Sequence, residues 1–343
     1  MEWAAGLMGG TSRRRCAATL PPDRFYCLLD DLPLHLIPRS FSQSRQQQEL
    51  LQQPMFLSPN CMLFSSGQLP DQLSGKPELV ARFALQQTIP RQTIVWVRDP
   101  VTEALIPFWL GPTLELAVRE LRPGVPAPQT LSPGTLWLLL AAGIVAPETD
   151  ADQHGREGSE CVESAAPVFQ KKDYVPVGNL IHPFHVAALR RYYRFMIRQG
   201  MIHLGDDQSP RRYVAHNEPV ARFFHHQIAA TVSALAGQPV KPSYVYLASY
   251  LSGAELKKHT DREQCEFSVT LCLDFSPEPE RETPWPIHLD TPLGKVTVHQ
   301  SIGDGLVYRG TRLPHYRDVL PAGQTSTSIF FHYVAADFKG SLT

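Results

Sequence analysis

Residues 244–274 read YVYLASYLSGAELKKHTDREQCEFSVTLCLD. The alternation through Tyr244, Tyr246 and Ala248 predicts a strand, Ser252 and Gly253 a turn, and Phe267 to Leu273 a returning strand. Between them His259 and Asp261 stand two residues apart, just past a strand end, where both side chains can reach one metal ion.

The spacing alone is not diagnostic. With 13 His and 33 acidic residues in 343, chance supplies about one to two such pairs, and the chain has three: His216/Glu218, His259/Asp261 and His288/Asp290. The choice comes from residues 303–334, GDGLVYRGTRLPHYRDVLPAGQTSTSIFFHYV. Here Gly303 to Gly305 predicts a turn, Leu306 to Tyr308 a short strand, and Ser326 to Val334 a strand of β-branched and aromatic residues. His315 follows Pro314 between those strands. His259, Asp261 and His315 then compose a two-His, one-carboxylate facial set, the geometry of non-haem Fe(II) oxygenases, which leaves coordination positions open. The 54 residues from Asp261 to His315 accommodate about four short strands, as a double-sheet barrel requires, whereas His288 precedes His315 by only 27. His216 and Glu218 sit beside Pro219, where a helix cap is expected.

Tyr250, Gly253, Leu256, His259 and Asp261, followed by Gly305, His315 and Gly323, resemble in order and spacing the 2-oxoglutarate and Fe(II)-dependent oxygenases, in particular their prolyl-hydroxylase-like branch. The resemblance spans roughly residues 169–334. It implies a double-stranded β-helix (jelly-roll) core. It also implies a dioxygenase in which oxidative decarboxylation of 2-oxoglutarate is coupled to hydroxylation of a C–H bond, with His259, Asp261 and His315 as catalytic iron ligands. One position departs from the pattern. Where that branch carries a Lys or Arg for the far carboxylate of 2-oxoglutarate, this chain has Thr325.

A dicarboxylate buried beside iron requires a cationic partner, because an unpaired buried carboxylate is costly. Arg309, directly after the strand Leu306 to Tyr308, is the first candidate, with Arg317 and Arg262 behind it. Thr325, Thr327 and Tyr250 are candidate hydroxyl donors to the same group. Tyr308 and Trp285 are candidate pocket-lining aromatics, and His225, His226 and His332 read as structural histidines.

Composition sets the outer bounds. A chain of this length suggests two domains, and 31 Pro with 22 Gly favour turns and short strands. A net charge of −1 gives no pull towards nucleic acid or an anionic membrane. The longest apolar run, residues 136–146, is too short to span a bilayer. Six scattered Cys without a paired motif are expected to be reduced thiols in a cytoplasmic protein.

The domains read as residues 1–147, an α+β accessory unit; 148–167, an acidic, exposed linker; and 168–343, the jelly-roll oxygenase domain with covering helices. In the first unit, residues 42–53 predict a polar helix, residues 55–64 a strand, 92–97 and 104–110 a hairpin, and 112–121 and 134–142 helices. The terminal segment 144–147 completes a faintly winged-helix-like order, with peptide recognition or packing in a homodimer as its candidate roles. In the second, residues 183–199 and 219–236 predict helices that cover the barrel.

Three functional readings follow. The first is a hydroxylase acting on a peptide or protein side chain, or else on a free amino acid or small metabolite. The second is a cupin-like metal enzyme that needs no 2-oxoglutarate, and the third a catalytically silent binding module.

Overall fold

The computed structural model describes residues 23–42, 50–64, 69–74, 93–99, 104–148 and 153–343, with residues 76 and 102. The polar helix expected over 42–53 falls largely outside these residues. Among them, no helix is long and apolar enough to cross a membrane.

The N-terminal unit is a small α+β assembly. β1 (Met55–Leu57) and β2 (Cys61–Phe64) divide the single strand expected over 55–64, and β2 joins the hairpin β3 (Thr93–Arg98) and β4 (Leu105–Leu110) in an antiparallel sheet. α1 (Pro112–Glu120) buries Leu114, Ala117 and Val118, the helical stripe of its sequence. α2 (Pro133–Ala141) starts at Ser132, whose hydroxyl accepts the Thr135 N–H at 3.1 Å, and Gly143 beyond it takes the left-handed conformation that ends a helix. β5 (Val145–Pro147) pairs with β1 in a separate ladder, so the unit lacks a single sheet joining hairpin and terminal strand.

The expected linker is different in kind. α3 (Gln153–Lys172) occupies most of residues 148–167. Val162, Ala165, Ala166 and Phe169 recur at helical spacing, and burial of Phe169 outweighs the polarity and the internal Pro167 that suggested a linker.

β6 (Tyr174–Val177), α4 (Pro183–Arg198), β7 (His203–Leu204), β8 (Arg212–His216) and α5 (Pro219–Ala236) lead into the strand region. β9 (Val240–Tyr250), β10 (Leu256–His259), β11 (Phe267–Ser276), β12 (Ile287–Thr291), β13 (Gly294–Val298), β14 (Gly305–Tyr308), β15 (His315–Arg317) and β16 (Thr325–Ala335) complete it. They form a seven-stranded antiparallel sheet, β6-β14-β11-β16-β9-β8-β7, and a four-stranded one, β10-β15-β12-β13. The sheets meet face to face: Tyr250 packs on Trp285 and Tyr308 on His315, with ring centroids 5.1 and 4.8 Å apart. Four strands lie between Asp261 and His315, β11 to β14.

Alternation divides the large sheet. On β11, Phe267, Val269, Leu271 and Leu273 join the main apolar cluster with α4 and α5, while Ser268, Thr270 and Cys272 turn to the inner face. Glu218 caps α5, accepting the N–H groups of Val220 and Ala221 at 3.0 Å each and the hydroxyls of Tyr192 and Tyr193. That role removes the rival His216/Glu218 pair from metal binding.

The N-terminal unit rests against α4 and α5, on the side of the large sheet away from the inner face. Phe25 packs edge-on to Trp109 and Phe224, Trp96 lies against Phe223, and Phe108 stacks on His185. His182 Nε2 donates to the Ala141 carbonyl at 2.9 Å and His185 Nε2 to that of Pro107 at 2.7 Å. Burial pushes both imidazoles down from 6.5, to about 4 and about 3, so they are neutral at pH 7.

The unfolded chain therefore binds protons at these positions first. The stability they contribute is full above pH 6.5 and falls as pH drops towards about 4, by up to roughly 1.4 kcal/mol per pH unit for each group. A series of melting temperatures from pH 7.5 to 4.5 should decline steeply, and His185→Gln, which keeps a donor without titrating, should flatten the slope.

Candidate metal centre

The site begins with one strand pair. β10 and β15 are antiparallel, with Leu256 opposite Arg317 and His259 opposite His315. Three residues of β10 therefore span what two span on β15, which is a β-bulge. Without the extra residue Lys258 would face His315; instead Lys258 turns outward to Asp290, 2.6 Å away, and His259 turns inward.

The bulge places the two imidazoles with centroids 4.4 Å apart. Asp261 Oδ1 lies 3.7 Å from His259 Nε2 and 3.6 Å from His315 Nε2. Each ring is held by its other nitrogen: His259 Nδ1 donates to the Lys257 carbonyl at 2.7 Å, and His315 Nδ1 to that of Leu313 at 3.0 Å. Both Nε2 lone pairs thus converge on one point, the tautomer and orientation that second-sphere carbonyls impose on metal-binding histidines. Burial lowers the His315 pKa, against an opposing pull from Asp261, which favours the neutral form a ligand needs.

Asp261 is fixed by its surroundings. Its backbone N–H donates to Gly310 O at 2.9 Å, and Oδ2 accepts the Ser268 hydroxyl at 2.6 Å. A Cβ at Gly310 would collide with Asp261 Oδ2, the Ser268 hydroxyl and the Cys265 carbonyl, so only glycine fits behind the carboxylate. Neither Ser268 nor Gly310 belongs to the metal-ligand motif, although Ser268 begins the alternation Ser268, Thr270, Cys272 among the apolar residues Phe267, Val269, Leu271 and Leu273.

The candidates for the far carboxylate separate. Arg309 turns away from the inner face: Nε lies 2.8 Å from Asp173 Oδ1, Nη1 3.6 Å from Glu266, and the guanidinium covers Phe169 and Phe267. It is a neutralised outer clamp, and the expectation that it binds co-substrate is corrected. Thr325 and Thr327 are corrected with it. They line an outer cavity of about 300 Å³ beside Arg190, Tyr193 and Asp274, and Thr327 donates to Ser249 at 2.8 Å. At this end of β16 the inward residues are Ser326 and Ser328, one position out of phase, because strand residues alternate between faces. Arg262 stands at the rim on the Tyr244 hydroxyl at 3.2 Å.

Arg317 is the opposite case. It is two residues from His315 on β15 and only 4% exposed. Its Nη1 donates to Trp285 O at 2.6 Å and Nη2 to Gln300 at 3.3 Å, while the guanidinium covers the Trp285 ring. Among the described residues its Nε has no hydrogen-bond partner, nor has the buried Ser328 hydroxyl. Among the described residues the ionisable groups acting on it are Cys272, Tyr250 and Tyr308; burial depresses its pKa, and no carboxylate among them offsets that. The neighbouring buried cation, Arg212, is already matched, with Nε 3.0 Å from Asp206 and Nη1 3.3 Å from the Tyr250 hydroxyl. His288, the third member of the early comparison, is turned to Thr297 and Asp318 on the small sheet.

No protein family and no curated protein matches the chain in sequence. Solved structures resemble part of the chain. The non-heme alpha ketoglutarate dependent epimerase SnoN from nogalamycin biosynthesis is 15% identical, with 52% of this chain and 82% of that one covered at a TM-score of 0.44. A Pseudomonas putida prolyl-4-hydroxylase is 16% identical over 52% of this chain and 100% of its own, with a TM-score of 0.43. AviO1 from Streptomyces viridochromogenes Tue57 is 19% identical over 52% and 96%, at 0.42. These likenesses are too remote to assign a reaction, so the chemistry has to be argued from the side chains.

The second-sphere contacts make a measurable claim. Ser268→Ala and Gly310→Ala should each weaken divalent-metal binding about 10- to 100-fold, measured by calorimetric titration with Ni(II), with the folded state checked by circular dichroism.

Proposed function

We propose that this chain is a 2-oxoglutarate- and Fe(II)-dependent dioxygenase built on a double-stranded β-helix, hydroxylating a C–H bond. The observation that carries the reading is the pair His315 and Arg317 on one strand. They bring a metal ligand and a buried guanidinium without a carboxylate to the same face, about 6.6 Å apart along the backbone. A five-carbon dicarboxylate has that reach. One end can chelate the metal while the other meets Arg317.

His259, Asp261 and His315 would hold the iron through one face, and their donor set suits it. Bound there, Fe(II) supplies activation of dioxygen coupled to decarboxylation of 2-oxoglutarate to succinate and CO₂. The chain's own groups prepare that chemistry. The carbonyls of Lys257 and Leu313 keep both imidazoles pointed inward, and the Ser268 hydroxyl keeps the Asp261 carboxylate in place. Arg317 offers the far carboxylate a charge-assisted hydrogen bond in a water-poor setting, with Ser328, Ser326 and Tyr250 beside it. An aspartate in the facial set leaves no position for halide, which favours hydroxylation over halogenation.

The substrate we favour is a peptide or protein side chain. A third of the His259 side chain is exposed, against 10% for Asp261 and 3% for His315, so the metal centre opens at a shallow rim that a residue on a larger body can reach. A free amino acid or small metabolite is the second substrate class. The buried, carboxylate-free Arg317 weighs against the cupin-like reading without 2-oxoglutarate.

Anaerobic addition of 2-oxoglutarate to Fe(II)-loaded protein should produce the weak visible metal-to-ligand charge-transfer band, and His259→Ala should abolish it. Arg317→Met should raise the 2-oxoglutarate dissociation constant about 10- to 100-fold while metal binding persists, as expected for loss of a charged hydrogen bond of about 1.5–3 kcal/mol. Arg309→Met should leave that constant unchanged. Iron-loaded protein without the band, or equal losses for both arginine variants, would overturn the assignment.

A further inference from the structure

We propose that Asp261, Cys265 and His332 form a second divalent-cation site, of the zinc class, which shares its carboxylate with the iron set and competes with it. One ligand atom from each residue lies within 4.8 Å of the other two. The inhibitory consequence rests on the iron reading above; the existence of the site does not.

Three elements supply the donors. Asp261 follows β10, Cys265 closes the short 3₁₀ turn Glu263–Cys265, and His332 is on the inner face of β16, opposite Ser268. Cys265 is 1% exposed and His332 6%. A thiol, an imidazole and a carboxylate make a mixed sulfur, nitrogen and oxygen set, softer than the two-His, one-carboxylate set and suited to a tetrahedral ion of the zinc class with one further ligand.

The Ser268 hydroxyl already ties two of the ligand groups together. The Ser268 Oγ lies 2.6 Å from Asp261 Oδ2 and 3.0 Å from His332 Nδ1, and also 3.3 Å from the Cys265 carbonyl. The Cys265 thiol is 3.0 Å from the Tyr244 hydroxyl, which Arg262 also contacts. The two oxygens of Asp261 face different clusters. Oδ1 looks to His259 and His315, and Oδ2 to Ser268 and the Cys265/His332 side. A cation seated between Cys265 and His332 takes the place of the Ser268 hydrogen bonds and draws the carboxylate towards itself. The iron set then loses its only anionic ligand.

Cobalt(II) is the probe, because thiolate coordination gives it an intense near-ultraviolet charge-transfer absorption that nitrogen and oxygen ligands do not. Chelator-treated full-length protein is titrated with Co(II) as wild type, His259→Ala and His259→Ala/Cys265→Ser. The expected result is the thiolate band in the first two, its loss in the double variant, and bleaching by added Zn(II). Calorimetry of Zn(II) should show affinity falling at least about tenfold from His259→Ala to the double variant. Cobalt bound to His259→Ala without the band, or a band that survives Cys265→Ser, would overturn the site. If the double variant does not fold, as judged by far-ultraviolet circular dichroism, presence or absence of the band in His259→Ala decides. 2-Oxoglutarate plays no part in these spectra, so failure of the iron reading and failure of this one are separable.

Discussion

The candidate metal centre depends on one extra residue. Antiparallel pairing of β10 with β15 would, in regular register, place Lys258 opposite His315; the bulge substitutes His259. A one-residue slip moves every side chain of a strand to the other face. Here the slip sends Lys258 to the outer surface with Asp290 and Tyr316 and brings an imidazole inside. Asp261, on the loop that follows, then falls between the two rings. Its position is reinforced by Gly310, just past β14, and by Ser268, at the start of β11, so three neighbouring segments close on one carboxylate.

Burial accounts for the electrostatics around that point. The inner face of the large sheet carries Ser268, Thr270, Cys272, Tyr250 and Ser328 rather than the apolar residues of its outer face. Two buried arginines approach this polar lining from opposite sheets, and they differ in one respect. Arg212 has Asp206, whereas among the described residues Arg317 has only neutral acceptors. A guanidinium taken out of water without an anion costs several kcal/mol.

The outer face is organised separately. α4 and α5 cover it, and the buried Arg190 is satisfied there by Asp274, Glu278 and the Leu36 carbonyl, which ties the helix, the sheet and the N-terminal segment together. The N-terminal unit continues the same apolar cluster through Phe25, Phe108, Trp109 and Trp96. It therefore lies across the large sheet from the metal centre.

The sequence by itself determined many of the local elements and the candidate metal-ligand set. Strand alternation, Pro183 and Pro219 at helix starts, and Gly143 and Gly237 at helix ends were all legible, because they are properties of a few neighbouring residues. The grouping of His259, Asp261 and His315 followed from type, spacing and the strands that had to fit between them. Only the tertiary structure decided what each side chain faces. Arg309 and Arg317 are equally basic and equally near a short strand, yet one ends on Asp173 and the other beside Gln300, because facing is set by register. Thr325 and Thr327 fell on the outer face for the same reason. Cys265 and His332, separated by 67 residues, share a carboxylate only because β16 returns beside β11, a non-local pairing that no pattern in either segment encodes.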